Sequence, residues 1–297
     1  MSGSRDASPL DVRPPALAVR QAVALALAED LLPLGDLTSA LLPADSVGRA
    51  CFVARAPGVV AGTDCVVEAF DQVDPALRVE LRLVDGDEVG AGGVIARVEG
   101  PLRSLLGAER TALNFLCHLS GVATLTRRFV ERAGRANPSV RIWDTRKTTP
   151  GLRALEKAAV RAGGGTNHRA SLSEAVIVKD NHLGGVSIAE AVRLARLRWP
   201  GRMLEVECER LDQVVEALEA GATLVLCDNM TPEQVAEAVG IVRAHPRAAA
   251  GSVLVEASGG ITLDNVAAYA AAGADVISVG ALTHSAPILD IGLDLEP

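Results

Sequence analysis

The second half of the chain repeats one pattern, a short apolar run followed by an amphipathic segment. Five such runs occur: "EAVIVKD", "MLEVECE", "ATLVLCDN", "SVLVEASGG" and "DVISVGAL". They recur about every 25 residues, which is the spacing that strand–helix–strand units require. The segments between them place apolar residues at helical spacing, as at Leu211, Val214 and Leu218. The pattern predicts at least five parallel strands in a (β/α) barrel.

Capping residues mark the predicted helix boundaries in this half. Ser187 with Glu190, and Thr231 with Gln234, have the spacing of capping boxes. Gly221 lies where a helix should end. These signals support alternating strands and helices.

The first half reads differently. Residues 1–14 are polar, contain two prolines and predict a mobile tail. An amphipathic helix follows in "LAVRQAVALALAEDLL". Short β-like runs with Gly and Asp turns predict an α+β segment over about 48–100. Residues 104–133 predict a long helical stretch. A break in it near Gly121 is left open by the sequence.

Composition narrows the function classes. Hydrophobic residues make up 49% of the 297 residues and aromatic ones only 2%, which fits a core of Ala, Val, Leu and Ile in a buried parallel sheet. A net charge of -8 argues against broad nucleic-acid or membrane-surface binding. The five cysteines form no CxxC pair, which disfavours disulfides and zinc. Neither a membrane span nor a signal peptide is predicted, so we expect a cytoplasmic protein.

Cations nevertheless concentrate between residues 144 and 183. Arg146 and Lys147 follow the apolar run "VRIW", Lys179 ends "EAVIVK", and His168 with Arg169 follows three glycines. Active sites of β/α barrels lie at the carboxyl ends of the strands. Because Arg binds carboxylate or phosphate through two hydrogen bonds, the cluster predicts a site for a multiply charged anion. A second group, Arg153, Lys157 and Arg161, is expected on a solvated helix face instead.

Two carboxylates and two glycine-containing turns lie at the same predicted rim. Glu207 and Asp228 end strands, and alternation with Val206 and Cys208 directs Glu207 inward. Such a pair beside phosphate groups would suit Mg²⁺. For Glu207 the alternative is an internal ion pair with Lys179 or Lys147. The turns "ASGGIT" and "VGALTH" open helices, so they either cradle a phosphate or serve only as turns.

The motif "DTRKTTPGLRALEKAAVRAGGGTNHRASLSEAVIVKDNH", together with "EVE", "LCDN", "EASGGI" and "SVGALTHSAPILDIGLDL", resembles the quinolinate phosphoribosyltransferase family. The resemblance extends over almost the whole chain and includes "GDLT" and "ERTALNFL". It implies an α/β protein with an N-terminal α/β sandwich domain over 15–125 and a C-terminal incomplete, TIM-like (β/α) barrel over 126–297. The end of the chain is expected to pack back on the first domain.

The resemblance also implies an enzyme, a pentosyltransferase of NAD biosynthesis. It would convert quinolinate and phosphoribosyl pyrophosphate into nicotinate mononucleotide, pyrophosphate and CO₂ with Mg²⁺. A homodimer or hexamer with a site shared between subunits is expected.

The resemblance assigns roles to individual positions. Quinolinate would be held by Arg146, His168, Arg169 and Lys179, with Arg110 from the neighbouring subunit. The phosphoribosyl pyrophosphate and Mg²⁺ group would be Lys147, Glu207 and Asp228, with Glu207 and Asp228 contacting the metal through water and substrate. Lys147, Lys179, Glu207 and Asp228 are the expected catalytic residues. Thr145 would contact substrate, and the 5-phosphate would be held by Ser258, Gly259, Gly260, Val279, Gly280 and Ala281.

Three alternatives stay open at this point. A Schiff-base aldolase could use Lys179 as its nucleophile. A paralogue of the molybdenum-operon type could act on another substrate with the same fold. A metabolite sensor could use the same pocket without turnover.

Overall fold

Residues 12–179, 185–247 and 252–296 are described by a computed structural model, and the chain divides into two units. The first unit comprises the residues up to 127 together with 148–164 and 282–297, and the second comprises 128–147 and 165–281. Most of the predicted tail, residues 1–11, lies outside the described residues.

The first unit contains an antiparallel sheet of four strands in the order β12-β1-β5-β3 and a small β2-β4 pair. Its strands are β1 (Val47–Ala54), β2 (Gly58–Val59), β3 (Arg78–Leu81), β4 (Glu88–Val89), β5 (Val94–Pro101) and β12 (Ile291–Leu295). Its helices include α1 (Ala16–Leu31), α2 (Thr63–Val73) and α4 (Arg153–Ala162). Pairing of β12 with β1 confirms that the end of the chain packs back on the first domain.

Helix α3 runs without a break from Leu102 to Ala136. The expectation of a break near Gly121 is therefore wrong. Gly121 serves a different purpose, because a Cβ atom there would lie 2.2 Å from the carbonyl oxygen of Pro287. The residue permits close approach of another segment, as small residues on packed helices do.

The second unit is built on six parallel strands in the order β6-β11-β10-β9-β8-β7. They are β6 (Arg141–Trp143), β7 (Ala175–Val178), β8 (Met203–Cys208), β9 (Leu224–Asp228), β10 (Leu254–Ser258) and β11 (Val276–Ser278). Strands β9 and β11 are almost entirely buried, as their continuous apolar sequences predict.

The order of these strands is that of an incomplete barrel. The first strand, β6, pairs with the last, β11, which wraps the sheet around. Within the described residues β6 and β7 lie at opposite ends of the sheet order, and an isolated bridge joins Trp143 of β6 to Thr166, in the segment between these two strands. A complete barrel has eight strands, so the prediction of an incomplete (β/α) barrel is confirmed.

Helices α5 (Ile188–Arg198), α6 (Leu211–Ala220), α7 (Pro232–Ala244), α8 (Val266–Ala271) and α9 (Ala281–His284) follow strands β7 to β11. The capping box of Thr231 and Gln234 is formed in both directions. At α5 only half of it forms: Ser187 accepts from the Glu190 amide, while the Glu190 side chain binds Arg193. No described helix is long and apolar enough to cross a membrane.

Segment 148–164 groups with the first unit, which differs from the predicted boundary at 125/126. It carries α4. Lys157 on this helix is only 4% exposed, so the expectation that it lies on a solvated face is wrong. The neighbouring Glu156 is fully buried, and both of its carboxylate oxygens have polar partners. His118 Nε2 lies 2.9 Å from Oε1, and the Thr149 amide donates to Oε2 at 3.0 Å. Glu156 and Lys157 therefore face the interior of the unit and not solvent.

Candidate active site

A cavity of about 320 Å³ opens at the carboxyl ends of the strands in the second unit. Polar and charged side chains dominate its lining. Nine predicted site residues line it: Thr145, Arg146, Lys147, His168, Arg169, Lys179, Glu207, Asp228 and Ser258. Five residues that were not predicted complete the lining: Ile177, Glu205, Leu226, Glu256 and Ser278.

Four basic side chains line this cavity. Arg146 and Lys147 follow β6, Lys179 follows β7, and Arg169 lies in the segment between them. Burial and the nearby charge of Arg146 lower the pKa of the Arg169 guanidinium. Each of the two guanidinium groups disfavours the charge of the other, so an anion that binds between them stabilises both. The arrangement suits a ligand with more than one carboxylate or phosphate.

Two of the predicted carboxylates lie on adjacent strands. Lys179 Nζ donates a hydrogen bond to Glu207 Oε2, so the alternative interpretation of Glu207 as an internal ion-pair partner describes this structure. Asp228 accepts a hydrogen bond from Asn229 Nδ2 at 2.8 Å and is partly exposed. Both residues line the cavity, where they can meet a polar ligand.

The floor of the cavity contains a buried cluster of His168, Glu205 and Glu256. His168 Nε2 lies 3.0 Å from Glu205 Oε2 and 3.7 Å from Glu256 Oε2. Burial raises the pKa of each of these two carboxyls to about 8. Two such groups side by side cannot both ionise near neutral pH, so the pair retains a proton. The four cations therefore outweigh the ionised carboxylates of the cavity.

Both ring nitrogens of His168 have internal partners. The Arg169 amide donates to Nδ1 at 2.6 Å, which leaves the proton on Nε2, facing Glu205. The backbone amide of His168 donates to Asp144 at 2.9 Å, and the ring packs edge-on against Trp143. The predicted quinolinate contact of His168 is thus not available to a ring nitrogen in this geometry, because the cluster holds the ring from both ends.

Of the turn residues predicted to hold a phosphate, only Ser258 lines the cavity. The Val279 amide is used within the sheet, donating to the Trp143 carbonyl at 2.9 Å. Gly259 adopts a positive φ of 92°, and a Cβ there would lie 2.2 Å from Asn229 Oδ1. This glycine is required by the turn itself. Gly260, Gly280 and Ala281 do not line the cavity either.

Arg110 lies on helix α3 in the first unit, is exposed, and does not line the cavity. The role predicted for it depends on a second subunit, so it remains a prediction.

Sequence reasoning missed the buried carboxyls Glu205 and Glu256. A signal for Glu205 exists, since it precedes Glu207 by two positions and the side chains of a strand alternate between faces. Glu256 has the same relation to Ser258. Both follow from the alternation that was applied to Glu207 alone.

Two groups of side chains could be considered for a metal. Glu207 and Asp228 end adjacent strands, and two carboxylates with substrate phosphates and water form the ligand set that Mg²⁺ prefers. The donor atoms of His168, Glu205 and Glu256 lie within 4.8 Å of one another. However, the Nε2 proton of His168 occupies the lone-pair position that a metal would need. The residues present therefore fit Mg²⁺ at Glu207 and Asp228.

Comparison with known proteins identifies one family over most of the chain. The model of the quinolinate phosphoribosyl transferase N-terminal domain matches residues 36–120, and that of the C-terminal domain matches residues 122–294. A carboxylating nicotinate-nucleotide pyrophosphorylase of Mycobacterium leprae is 44% identical over 282 residues, 94% of this chain and 97% of that protein. A mitochondrial decarboxylating quinolinate phosphoribosyltransferase 2 of Nicotiana glauca is 38% identical, covering 97% of this chain and 86% of its own.

A solved structure agrees with these sequence matches. The nicotinate-nucleotide pyrophosphorylase of Francisella tularensis superposes with a TM-score of 0.88 at 36% identity, over 96% of this chain and 99% of that one. Together with the cation-lined cavity at the strand ends, these matches settle the family. The chain belongs to the quinolinate phosphoribosyl transferase family.

Proposed function

We propose that this chain transfers the phosphoribosyl group of phosphoribosyl pyrophosphate to quinolinate, with release of pyrophosphate and CO₂ and formation of nicotinate mononucleotide. One observation carries the proposal: Arg146, Arg169 and Lys179 line a single cavity with Glu207 and Asp228. Quinolinate has two carboxylates and the second substrate has several phosphate charges, so one site for both requires many cations.

The first chemical step joins the two substrates. The pyridine nitrogen forms a bond to the anomeric carbon of the ribose, and the bond from that carbon to pyrophosphate breaks with its electron pair leaving on oxygen. Positive charge develops at the anomeric carbon, as in glycoside hydrolysis. Glu207 and Asp228 are the cavity carboxylates that would stabilise it electrostatically.

The second step removes the carboxylate at C2. The bond from C2 to this carboxylate breaks, its electron pair stays on C2, and the adjacent positive ring nitrogen stabilises that pair. A proton then adds to C2. Lys179 and Arg146 are the cations proposed to hold the carboxylate first and the ring afterwards.

Mg²⁺ belongs to this proposal, and Glu207 and Asp228 would hold it through water and substrate oxygens. When bound, it would neutralise charge on the pyrophosphate leaving group. Lys147, exposed at the rim, would bind phosphate directly as a point charge. The 5-phosphate is proposed to lie against Ser258 and the two turns that follow β10 and β11.

An oligomer with a shared site is also part of the proposal. Arg110 is exposed, so it can reach a second copy of the chain. Helix α1 and the segment after it expose six leucines, which a partner subunit could cover: Leu17, Leu25, Leu32, Leu34, Leu37 and Leu41. We expect a homodimer or a larger assembly acting in the cytoplasm.

The Schiff-base alternative is disfavoured by the state of Lys179. A lysine nucleophile needs a lowered pKa in an apolar site. Lys179 Nζ instead donates a hydrogen bond to Glu207 Oε2, so its nitrogen is engaged by a carboxylate and does not face an apolar pocket.

The proposal is tested by incubating the purified full chain with Mg²⁺, quinolinate and phosphoribosyl pyrophosphate, and by quantifying nicotinate mononucleotide and CO₂. Equal amounts of both products are expected. Turnover of another pyridine without CO₂ would instead indicate the molybdenum-operon type of paralogue. Binding of both substrates without any product would indicate a sensor.

A further inference from the structure

The side chain of Glu205 lies beneath the cation site and has no access to solvent. It is fully buried on β8, and its Oε2 atom accepts the Nε2 proton of His168 at 3.0 Å. Glu256, 1% exposed on β10, places its Oε2 atom 3.7 Å from the same ring nitrogen. The Nε2 edge of the imidazole ring therefore faces two carboxyl groups from different strands.

Glu256 is itself fixed by a third strand. Ser278 on β11 is 5% exposed and donates its hydroxyl proton to Glu256 Oε1 at 2.5 Å. Strands β10 and β11 are neighbours in the sheet. The side chains of Glu205, Glu256 and Ser278 come from three strands. Together they form a series of contacts that leads to the His168 ring.

The opposite edge of that ring is hydrogen-bonded to the backbone of Arg169. His168 Nδ1 accepts from the Arg169 amide at 2.6 Å, and the Arg169 guanidinium is held by a bond from Nη1 to the Ala175 carbonyl at 2.8 Å. Both bonds restrict the direction in which the guanidinium enters the cavity. Since the Arg169 amide donates to Nδ1, movement of the His168 ring would displace Arg169 with it.

We propose that Glu205 and Glu256 are positioning residues, which act through His168 on Arg169 and thereby set the affinity for the dicarboxylate substrate. This inference rests on the proposed function for the identity of that substrate. It differs from the clamp role predicted for His168, because the histidine transmits a position and need not contact the ligand. Misplacement of a binding group by about 1 Å can cost orders of magnitude in rate.

The primary test compares two replacements of Glu205. Glu205→Leu fills a similar volume but cannot accept the His168 proton, whereas Glu205→Gln keeps an acceptor oxygen. We expect Glu205→Leu to raise the dissociation constant of quinolinate, measured by calorimetry, roughly tenfold. Glu205→Gln should restore most of the affinity. The KM for phosphoribosyl pyrophosphate should stay within about twofold in both, a split that general loss of structure would not produce.

A double-mutant cycle asks whether the effect passes through Arg169. If it does, Arg169→Lys and Glu205→Leu together weaken quinolinate binding no more than the stronger single change. Independent effects that multiply would overturn the inference. An unchanged dissociation constant in Glu205→Leu would also overturn it. The same holds if wild-type protein binds one metal ion per chain and Glu205→Leu does not.

Ser278→Ala and Ser120→Ala provide a matched pair of buried serine deletions. Ser120 is fully buried in the first unit, where its hydroxyl accepts from the Ala61 amide at 3.0 Å. Both changes should lower the melting temperature, but only Ser278→Ala should weaken quinolinate binding. Equal weakening by both would contradict a specific positioning role.

The calorimetric measurement separates this inference from the proposed function. Wild-type protein that binds quinolinate but gives no product would overturn the proposed reaction alone. Wild-type protein that turns over, with Glu205→Leu binding as tightly as wild type, would overturn the positioning role alone. Wild-type protein that does not bind quinolinate would overturn both.

Discussion

Lys179 donates a hydrogen bond from Nζ to Oε2 of Glu207, so a cation proposed for one substrate is paired with a carboxylate proposed for the other. The Lys179 side chain is about one third exposed and that of Glu207 about a tenth (36% and 9%). Quinolinate must compete with Glu207 for Lys179, and the Mg²⁺ that accompanies the second substrate must compete with Lys179 for Glu207. The pairing therefore couples the two binding events.

Replacing Glu207 should separate these effects. In Glu207→Gln the ammonium of Lys179 loses its competing charge, so we expect quinolinate to bind a few times more tightly, as a partly exposed ion pair of about 1 kcal/mol implies. Turnover should nevertheless fall, because the carboxylate proposed to stabilise the anomeric carbon is gone. Calorimetry and steady-state kinetics on the same preparation measure both. Weaker quinolinate binding would contradict the competition.

Arg146→Lys tests the bidentate recognition of a carboxylate. Lysine keeps the charge but loses the planar fork, and we expect roughly tenfold weaker quinolinate binding. Arg193→Lys is the control, since Arg193 makes two bonds to Glu190 on an exposed helix. It should leave the affinity unchanged. Equal affinities of Arg146→Lys and wild type would remove Arg146 from the quinolinate site.

Buried Glu256 predicts a specific dependence of stability on pH. Burial raises its pKa from 4.5 to about 8 in the folded chain, so between these values unfolding releases a proton. The free energy of unfolding contributed by this group therefore falls as pH rises from about 5 to 8, by on the order of 1 kcal/mol for each pH unit, and levels off above.

Glu256→Gln carries no such proton. Urea unfolding at pH 5 and pH 8 should show a smaller loss of stability across this range for Glu256→Gln than for wild type. Identical losses for the two proteins would mean that Glu256 is ionised in the folded chain at neutral pH.

The shared site predicts complementation between inactive variants. Arg110→Ala and Lys179→Ala should each abolish most activity, because each removes a cation from every site. In a mixed dimer, one of the two sites combines the intact cavity of one subunit with the intact Arg110 of the other. Random mixing should therefore restore about a quarter of wild-type activity. Mixtures that remain as inactive as the parents would place Arg110 outside the site.

Sequence periodicity was sufficient to predict the barrel and its rim. Arg146, Lys179, Glu207 and Asp228 were found because polar residues at the ends of apolar strands must face the rim, and all four line the cavity. The same reasoning failed at Lys157, whose burial depends on contacts within its unit rather than on helix periodicity. Local pattern predicts the direction of a side chain but not which partner covers it.

Tertiary contacts explain the remaining differences. Gly121 looked like a break because glycine is a poor helix former, yet the residue is required by a segment more than 150 positions away. Val279 looked available for a phosphate, but its amide completes the sheet with Trp143. The buried carboxyls Glu205 and Glu256 were overlooked because charged residues are rarely buried without partners, and their partners come from distant strands.

The most direct test of the account uses quinolinate carrying an isotopic label in either the C2 or the C3 carboxyl group. Incubation of the full chain with Mg²⁺ and phosphoribosyl pyrophosphate should release label as CO₂ only from the C2 position, and all C3 label should stay in nicotinate mononucleotide. Release from C3, or a product that keeps both carboxyl groups, would contradict the proposed arrangement of the dicarboxylate beside Arg146 and Lys179.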